Sequence, residues 1–188
     1  NIVAGLDHPD DGDALFDGRR IAKPGRERIV VFQEPALYPW LNVRANVELG
    51  LKIAGKRRSE RKDLVERYLT LVNLRKFEKA YVHELSGGMK QRAQLARALA
   101  VEPRMLLMDE PFAALDAQTR DTLQQELQEI CARTNATVLF VTHNVREAVI
   151  LGDRVVVMTP APGRLKREIK IDLPRPRGPD SHAVVALA

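Results

Sequence analysis

Cysteine is almost absent from this sequence: Cys131 is the only one in 188 residues. A lone thiol closes no intramolecular disulfide and builds no all-cysteine metal site. Aromatic residues are scarce at 5 %, with a single tryptophan, so a core has to be packed from Leu, Ile, Val and Met. Long apolar runs are missing as well. No stretch of about 18 apolar residues occurs, which excludes a membrane-spanning helix, and no charged start followed by an apolar run resembles a secretory signal. His8, His83 and His182 have no companions at metal-ligand spacing, so no zinc site is expected. Charge of one sign is not strongly in excess. Thirty basic against 25 acidic residues leave a formal +5. The basic cluster Lys56, Arg57, Arg58, Arg61 and Lys62 is not interleaved with aromatics, which argues against a single-stranded nucleic-acid site. No nucleic-acid partner is expected.

What the sequence does contain is an alternation of two rhythms. Compact apolar runs at Arg28–Phe32, Arg104–Asp109, Thr137–Thr142 and Arg154–Thr159 read as buried strands. Residues Ala14–Phe16 suit a short strand before the Asp17-Gly18 turn, and Ile169–Leu173 an edge strand. Helical periodicity covers Asn42–Ile53, Leu64–Leu74, Ser86–Leu99, Ala117–Thr134 and Val145–Leu151. Ser59 is expected to cap the second of these, with Lys62 at its N3 position. Asn1–Leu6 reads as the end of a helix, broken by Asp7, Pro9 and Gly12. Unalternated strands separated by helices predict a parallel sheet covered by helices. Residues 42–99 interrupt this with helices alone and read as an inserted helical subdomain, while 174–188, rich in Pro and Arg, reads as a loose tail.

Three strands end in residues with chemistry. Met105-Leu106-Leu107-Met108 leads into Asp109 and Glu110 at a carboxyl strand end, where open α/β sheets bind ligands. Asp109 there suits a Mg²⁺ ion and Glu110 an attacking water; the plain alternative is a helix cap beside a solvated acid. Gln33 follows the first buried strand, and a carboxamide there reaches a metal-bound water or simply ends the strand. His143 follows Thr137–Thr142 and can hydrogen-bond a phosphate oxygen or a backbone carbonyl. Ser86, Gly87 and Gly88 precede a helix, whose bare N–H groups attract phosphate but also form an ordinary capped turn. Asp116 suits a helix cap. The convergence of Gln33, Asp109-Glu110 and His143 on one sheet edge favours a shared polar site.

With these residues in place, the sequence resembles the ATP-binding subunits of ABC importers. Leu85-Ser86-Gly87-Gly88-Met89-Lys90-Gln91-Arg92 is similar to the family signature, and Met105–Pro111 to its Walker B strand with the catalytic glutamate at Glu110. Gln33 matches the Q-loop, Ala114-Leu115-Asp116 the D-loop and His143 the switch histidine. Residues 33–43, with Tyr38-Pro39-Trp40-Leu41-Asn42-Val43, and the late Pro160–Arg164 are similar to the nitrate, sulfonate and taurine group. The resemblance implies a P-loop NTPase-like α/β fold over 1–188 with an inserted helical subdomain. It implies ATP and Mg²⁺ as cofactors, with Asp109 and Gln33 at the metal. Glu110, His143 and Gln33 would be catalytic, and Ser86, Gly87, Gly88, Gln91 and Asp116 would contact nucleotide. It further implies a paired ATPase subunit, an integral membrane permease, indirectly a solute-binding protein, and a place at the cytoplasmic face of the inner membrane.

Two departures stand out. The family's first strand and Gly-rich phosphate loop are expected ahead of Asn1–Leu6 and are not in the sequence; none of Lys23, Lys52 or Lys56 lies in a Gly-x-x-x-x-Gly-Lys-Ser/Thr setting. Asn144 stands where the family usually has Asp, keeping a capping oxygen without the charge. Three readings stay open: an importer ATPase truncated before that loop was complete, an inactive or regulatory ABC-like chain, and a non-transport ABC ATPase.

Overall fold

The computed structural model describes residues 1–134, 136–179 and 181–187. A short hairpin, β1 (Leu15–Phe16) and β2 (Arg19–Arg20), turns through Asp17 and Gly18. Both turn residues have positive φ, 50° and 73°, as a two-residue hairpin demands. The central sheet is parallel, in the order β3 (Arg28–Val31), β4 (Met105–Asp109), β5 (Thr137–Val141). Val31 lies beside Met108, and Asp109 beside Val141. Leu106, Leu107 and Met108 are all buried, so β4 is covered on both faces, as its unbroken apolar run requires.

Between β3 and β4 the chain is helical: α1 (Val43–Ile53), α2 (Arg58–Leu71), two 3₁₀ turns at Arg75–Phe77 and Val82–Glu84, and α3 (Gly87–Ala100). Val43, Val47 and Leu51 form the buried stripe of α1 and share a core with Val65 and Leu69 of α2 and Leu95 and Leu99 of α3. That core continues into Val31, Leu106 and Met108, so the inserted helical subdomain is fused to the sheet. Asn42 caps α1 by accepting the Ala45 N–H at 2.8 Å. The expected cap of α2 needs correction. Arg57, not Ser59, holds the cap position, and Glu60 at N3 accepts the Arg57 N–H at 3.0 Å. An acid in the first turn satisfies an orphan donor and complements the helix dipole, which Lys62 cannot do.

The C-terminal half runs α4 (Ala117–Arg133), β5, α5 (Val145–Leu151), β6 (Arg154–Met158), β7 (Leu165–Lys170) and α6 (His182–Leu187). β6 was expected as another buried strand of the same kind. It pairs instead antiparallel with β7 in a separate two-stranded sheet, with Val156 and Met158 exposed. The intervening turn, in which the Thr159 N–H donates to Arg164 O at 2.9 Å, folds the chain straight back and so makes β7 the partner of β6. β7 consequently starts at Leu165 rather than Ile169.

Both ends are more ordered than their composition suggests. At Asn1–Leu6 no α-helix forms, yet Leu6 N–H donates to Asn1 O at 3.1 Å and Gly5 N–H to Ile2 O at 2.9 Å. Gly5 has φ +74°, so the three features together make the bond pattern of a helix C-terminus. A Cβ on Gly5 would lie 2.3 Å from Lys23 O, so only glycine fits. The described part of 174–188, expected as a loose tail, is anchored instead. Val184 packs on Val149, Ile150 and Ile171, and the Arg177 guanidinium is buried. It donates to Val149 O at 2.8 Å, Gly152 O at 2.6 Å and Leu173 O at 2.8 Å, acceptors that replace the water it gives up.

Candidate active site

β3, β4 and β5 end side by side, and their registers put Gln33, Asp109-Glu110 and His143 at one edge of the sheet. Asp109 is the exposed last residue of β4, where the unbroken buried run of Leu106, Leu107 and Met108 stops. The Glu110 N–H donates to Val141 O at 3.0 Å, which carries the pairing one step past the strand. Glu110 then adopts φ +42°, a left-handed conformation that costs a non-glycine residue about 1 kcal/mol. That turn brings its carboxylate to His143: Glu110 Oε1 and His143 Nδ1 are 3.0 Å apart. The hydrogen bond, and then the negative charge of Glu110, raise the His143 pKa above its ordinary value. A small cavity of about 50 Å³ opens here, lined by Glu110, Ala113, Arg120, Thr142, His143, Asn144 and Glu147. It is large enough for a water molecule with polar partners.

Gln33 is exposed just past β3. Gln94 of α3 donates to Phe32 O at 3.3 Å and thereby fixes the backbone before it. Ser86 caps α3, its hydroxyl accepting the Met89 N–H at 3.3 Å. Ser86 and Gly87 are exposed, whereas Gly88 is buried: a Cβ there would meet Thr119 Cγ2 at 2.6 Å. The glycine therefore lets the start of α3 pack against α4. Asp116 caps α4 by accepting the Thr119 N–H at 3.0 Å, and hydrogen bonding from the Thr119 side chain, then from that N–H, lowers its pKa. Ser86, Gly87 and Gly88, like Gln33 and Asp109, do not line the cavity at Glu110. Gln91, expected beside the signature serine as a nucleotide contact, is buried, and its Nε2 has no hydrogen-bond partner among the described residues. One turn into α3, its position turns it toward the core.

A profile of the ABC transporter family matches residues 1–113. The chain belongs to this family. It is 53 % identical over 176 residues to an uncharacterised ABC transporter ATP-binding protein of Methanocaldococcus jannaschii, covering 94 % of this chain and 66 % of that one. It is 49 % identical over 173 residues to a nitrate import ATP-binding protein of Synechocystis, covering 92 % and 65 %. The chain thus spans about two thirds of the length of these two relatives. Among solved structures, cbiO1 of Clostridium perfringens, part of the ABC transporter complex cbiONQ, superimposes with a TM-score of 0.81 at 27 % identity, over 88 % of this chain and 68 % of that one. An ATP-binding cassette in a dimeric post-hydrolysis state, bound to ADP and Pi, gives 0.74 at 31 % identity, over 91 % and 78 %. The fold is that of an ABC ATPase: an α/β core with a mixed set of strands and an inserted helical subdomain.

The donors at the sheet edge fit what this family binds, ATP with Mg²⁺. Asp109 offers a carboxylate and Gln33 an amide oxygen, and Mg²⁺ typically takes one or two protein oxygens and completes its shell from phosphates and water. Among the described residues no cluster of three or more His, Cys, Asp or Glu stands ready to hold a metal unaided. No described helix is long and apolar enough to cross a membrane. Three further residues of the site escaped the sequence reading: Thr142, Arg120 and Glu147. The one sequence signal for Glu147 is its place at N3 of α5, three residues after the cap Asn144, where an acid is ordinarily read as capping.

Proposed function

We propose that the chain is the ATP-binding and hydrolysing portion of an ABC importer subunit, serving a small solute of the nitrate, sulfonate or taurine kind. The observation that supports this most is the Glu110–His143 contact at the carboxyl ends of β4 and β5, made by a glutamate held at positive φ beside a water-sized cavity. In this reading Glu110 polarises the attacking water, His143 holds the γ-phosphate region, and Asp109 and Gln33 hold the metal. Bound MgATP supplies the phosphoryl group and neutralises its developing charge. Exposed Ser86 and Gly87 offer the start of α3 to the nucleotide held by a second subunit, with Gly88 and Gln91 buried behind them and Asp116 supporting that face. The dimeric state of the ADP- and Pi-bound cassette supports a head-to-tail pair, in which each nucleotide lies between two chains. We assign 42–99 to the helical subdomain and expect a membrane permease to dock near it, with a solute-binding protein beyond, at the cytoplasmic face of the membrane. The nitrate import name of one relative supports the solute class.

The deciding experiment is Glu110→Gln in the full gene product. Turnover should fall about a hundredfold or more, the usual scale for losing a catalytic base, while ATP-dependent dimerisation survives. Unchanged turnover would remove Glu110 from this role. A second reading, a chain unable to bind ATP and therefore to hydrolyse it, is favoured for residues 1–188 alone by the lack of any Gly-x-x-x-x-Gly-Lys-Ser/Thr. A fluorescent ATP analogue separates the two, because low-micromolar Mg²⁺-dependent binding to the 188-residue chain contradicts the second.

A further inference from the structure

Behind the Glu110–His143 pair lies a buried carboxylate. Glu147 is only 5 % exposed. Its Oε2 accepts the Thr142 hydroxyl at 2.6 Å, and its Oε1 accepts Gln124 Nε2 at 3.3 Å and lies 3.7 Å from Arg120 Nε. Thr142 Oγ1 in turn accepts the Asn144 N–H at 3.0 Å. The two neighbours of His143 are therefore tied to each other and to Glu147. Asn144 closes the arrangement by accepting the N–H groups of Arg146 at 3.0 Å and Glu147 at 3.3 Å. On its other side, Arg120 donates to Leu115 O at 2.8 Å and to Phe112 O at 3.4 Å, within the segment that ends at Asp116.

Burying a carboxylate is costly unless it is fully bonded. An acid that only capped α5 would do so from the solvent side, and Asn144 already caps that helix. The buried position gives Glu147 something a solvated acid lacks: simultaneous contact with the Thr142 loop and with Gln124 and Arg120 of α4. His143 itself is 74 % exposed at its side chain, so the backbone that carries it needs an anchor from behind.

We propose that Glu147 is a positioning residue, clamping the Thr142–His143–Asn144 loop and joining it through Arg120 to the 112–116 segment. It sets where His143 meets Glu110, and it couples that placement to the segment leading to Asp116. This inference rests on the roles of Glu110 and His143 proposed above.

The test uses the full gene product with four variants. Thr142→Val keeps the shape and deletes the hydroxyl, Thr142→Ser keeps the hydroxyl, and Glu147→Gln removes the charge at equal size. Glu110→Gln is the control for the catalytic reading. Thr142→Val and Glu147→Gln should each lower kcat about tenfold, the scale of a misplaced catalytic group, with the KM for ATP unchanged. Their combination should be no worse than either alone, as expected of one coupled unit. Thr142→Ser should turn over like the parent. Wild-type kcat in Thr142→Val and Glu147→Gln, with Glu110→Gln inactive, overturns the clamp and leaves the catalytic reading standing. Normal turnover in Glu110→Gln overturns the catalytic reading, and the clamp with it. Multiplicative losses in the double variant, or losses that vanish at a lower temperature where every variant is fully folded, also overturn the clamp.

Discussion

His143 Nδ1 sits 3.0 Å from Glu110 Oε1 while most of the imidazole faces solvent. The hydrogen bond and the charge of Glu110 raise the His143 pKa, with a smaller push in the same direction from Glu147 and an opposing one from Arg120. The protonated ring is thus favoured in the folded chain. Its stabilising contribution is complete below the ordinary histidine value of 6.5 and is lost as pH rises through the elevated folded value. An imidazole NMR titration should show the raised midpoint, and Glu110→Gln should bring it down. A midpoint indifferent to that substitution means the contact is not made in solution.

Gly88 and Thr119 set how closely α3 approaches α4. Gly88→Ala places a Cβ 2.6 Å from Thr119 Cγ2. Overpacking of this kind costs about 1–3 kcal/mol, read as a lower midpoint in urea unfolding. Thr119→Ser removes the offending methyl and keeps the hydroxyl, so the double variant should recover most of the loss. Equal stability of Gly88→Ala and the double variant would show that the clash is not the cause.

The sheet edge was legible because strand ends announce themselves. An apolar run that stops at Asp109, and others that stop at Gln33 and His143, place polar groups at one level wherever the strands are parallel. Glu147 was not legible in the same way. Its burial depends on Thr142, Gln124 and Arg120, which converge only in three dimensions, and a helix-start acid ordinarily reads as solvated. β6 was misplaced for a related reason: Val155, Val156 and Val157 suit a buried strand, but the partner is chosen by the turn at 159–164. The same holds for Arg177, in a Pro- and Arg-rich stretch that composition assigns to solvent.

Arg177 bridges pieces that are far apart in sequence. Its guanidinium donates to carbonyls at the end of α5, and its backbone exchanges hydrogen bonds with Gln128 of α4, N–H to Oε1 at 2.7 Å and Nε2 to O at 3.0 Å. Arg177→Met keeps the stem and strands several buried carbonyls, at a cost of about 3 kcal/mol. Arg177→Lys retains the charge but not the fork and should recover only part of it. Urea unfolding measures both, and stability within about 0.5 kcal/mol of the parent for Arg177→Met, as for an ordinary surface change, would return 174–188 to the status of a loose tail.

Trp40 joins an exposed ring to a rigid mount. It is 69 % exposed, and its ring lies 5.4 Å from that of Tyr38. The loop beneath is held by buried Asn46, whose Oδ1 accepts the Tyr38 N–H at 2.8 Å and whose Nδ2 donates to Leu41 O at 3.1 Å. An exposed aromatic on an ordered loop, a few residues from Gln33, has the character of an interface anchor. As the single tryptophan it also reports on itself. Its emission should be red-shifted and readily quenched by acrylamide in the isolated chain. Reconstitution of the full gene product with the membrane permease proposed above should shift the emission to the blue and protect it from quenching. Trp40→Ala should weaken that association by about 2 kcal/mol, the scale of an aromatic anchor. An assembled complex whose Trp40 stays as quenchable as in the free protein would place the permease elsewhere.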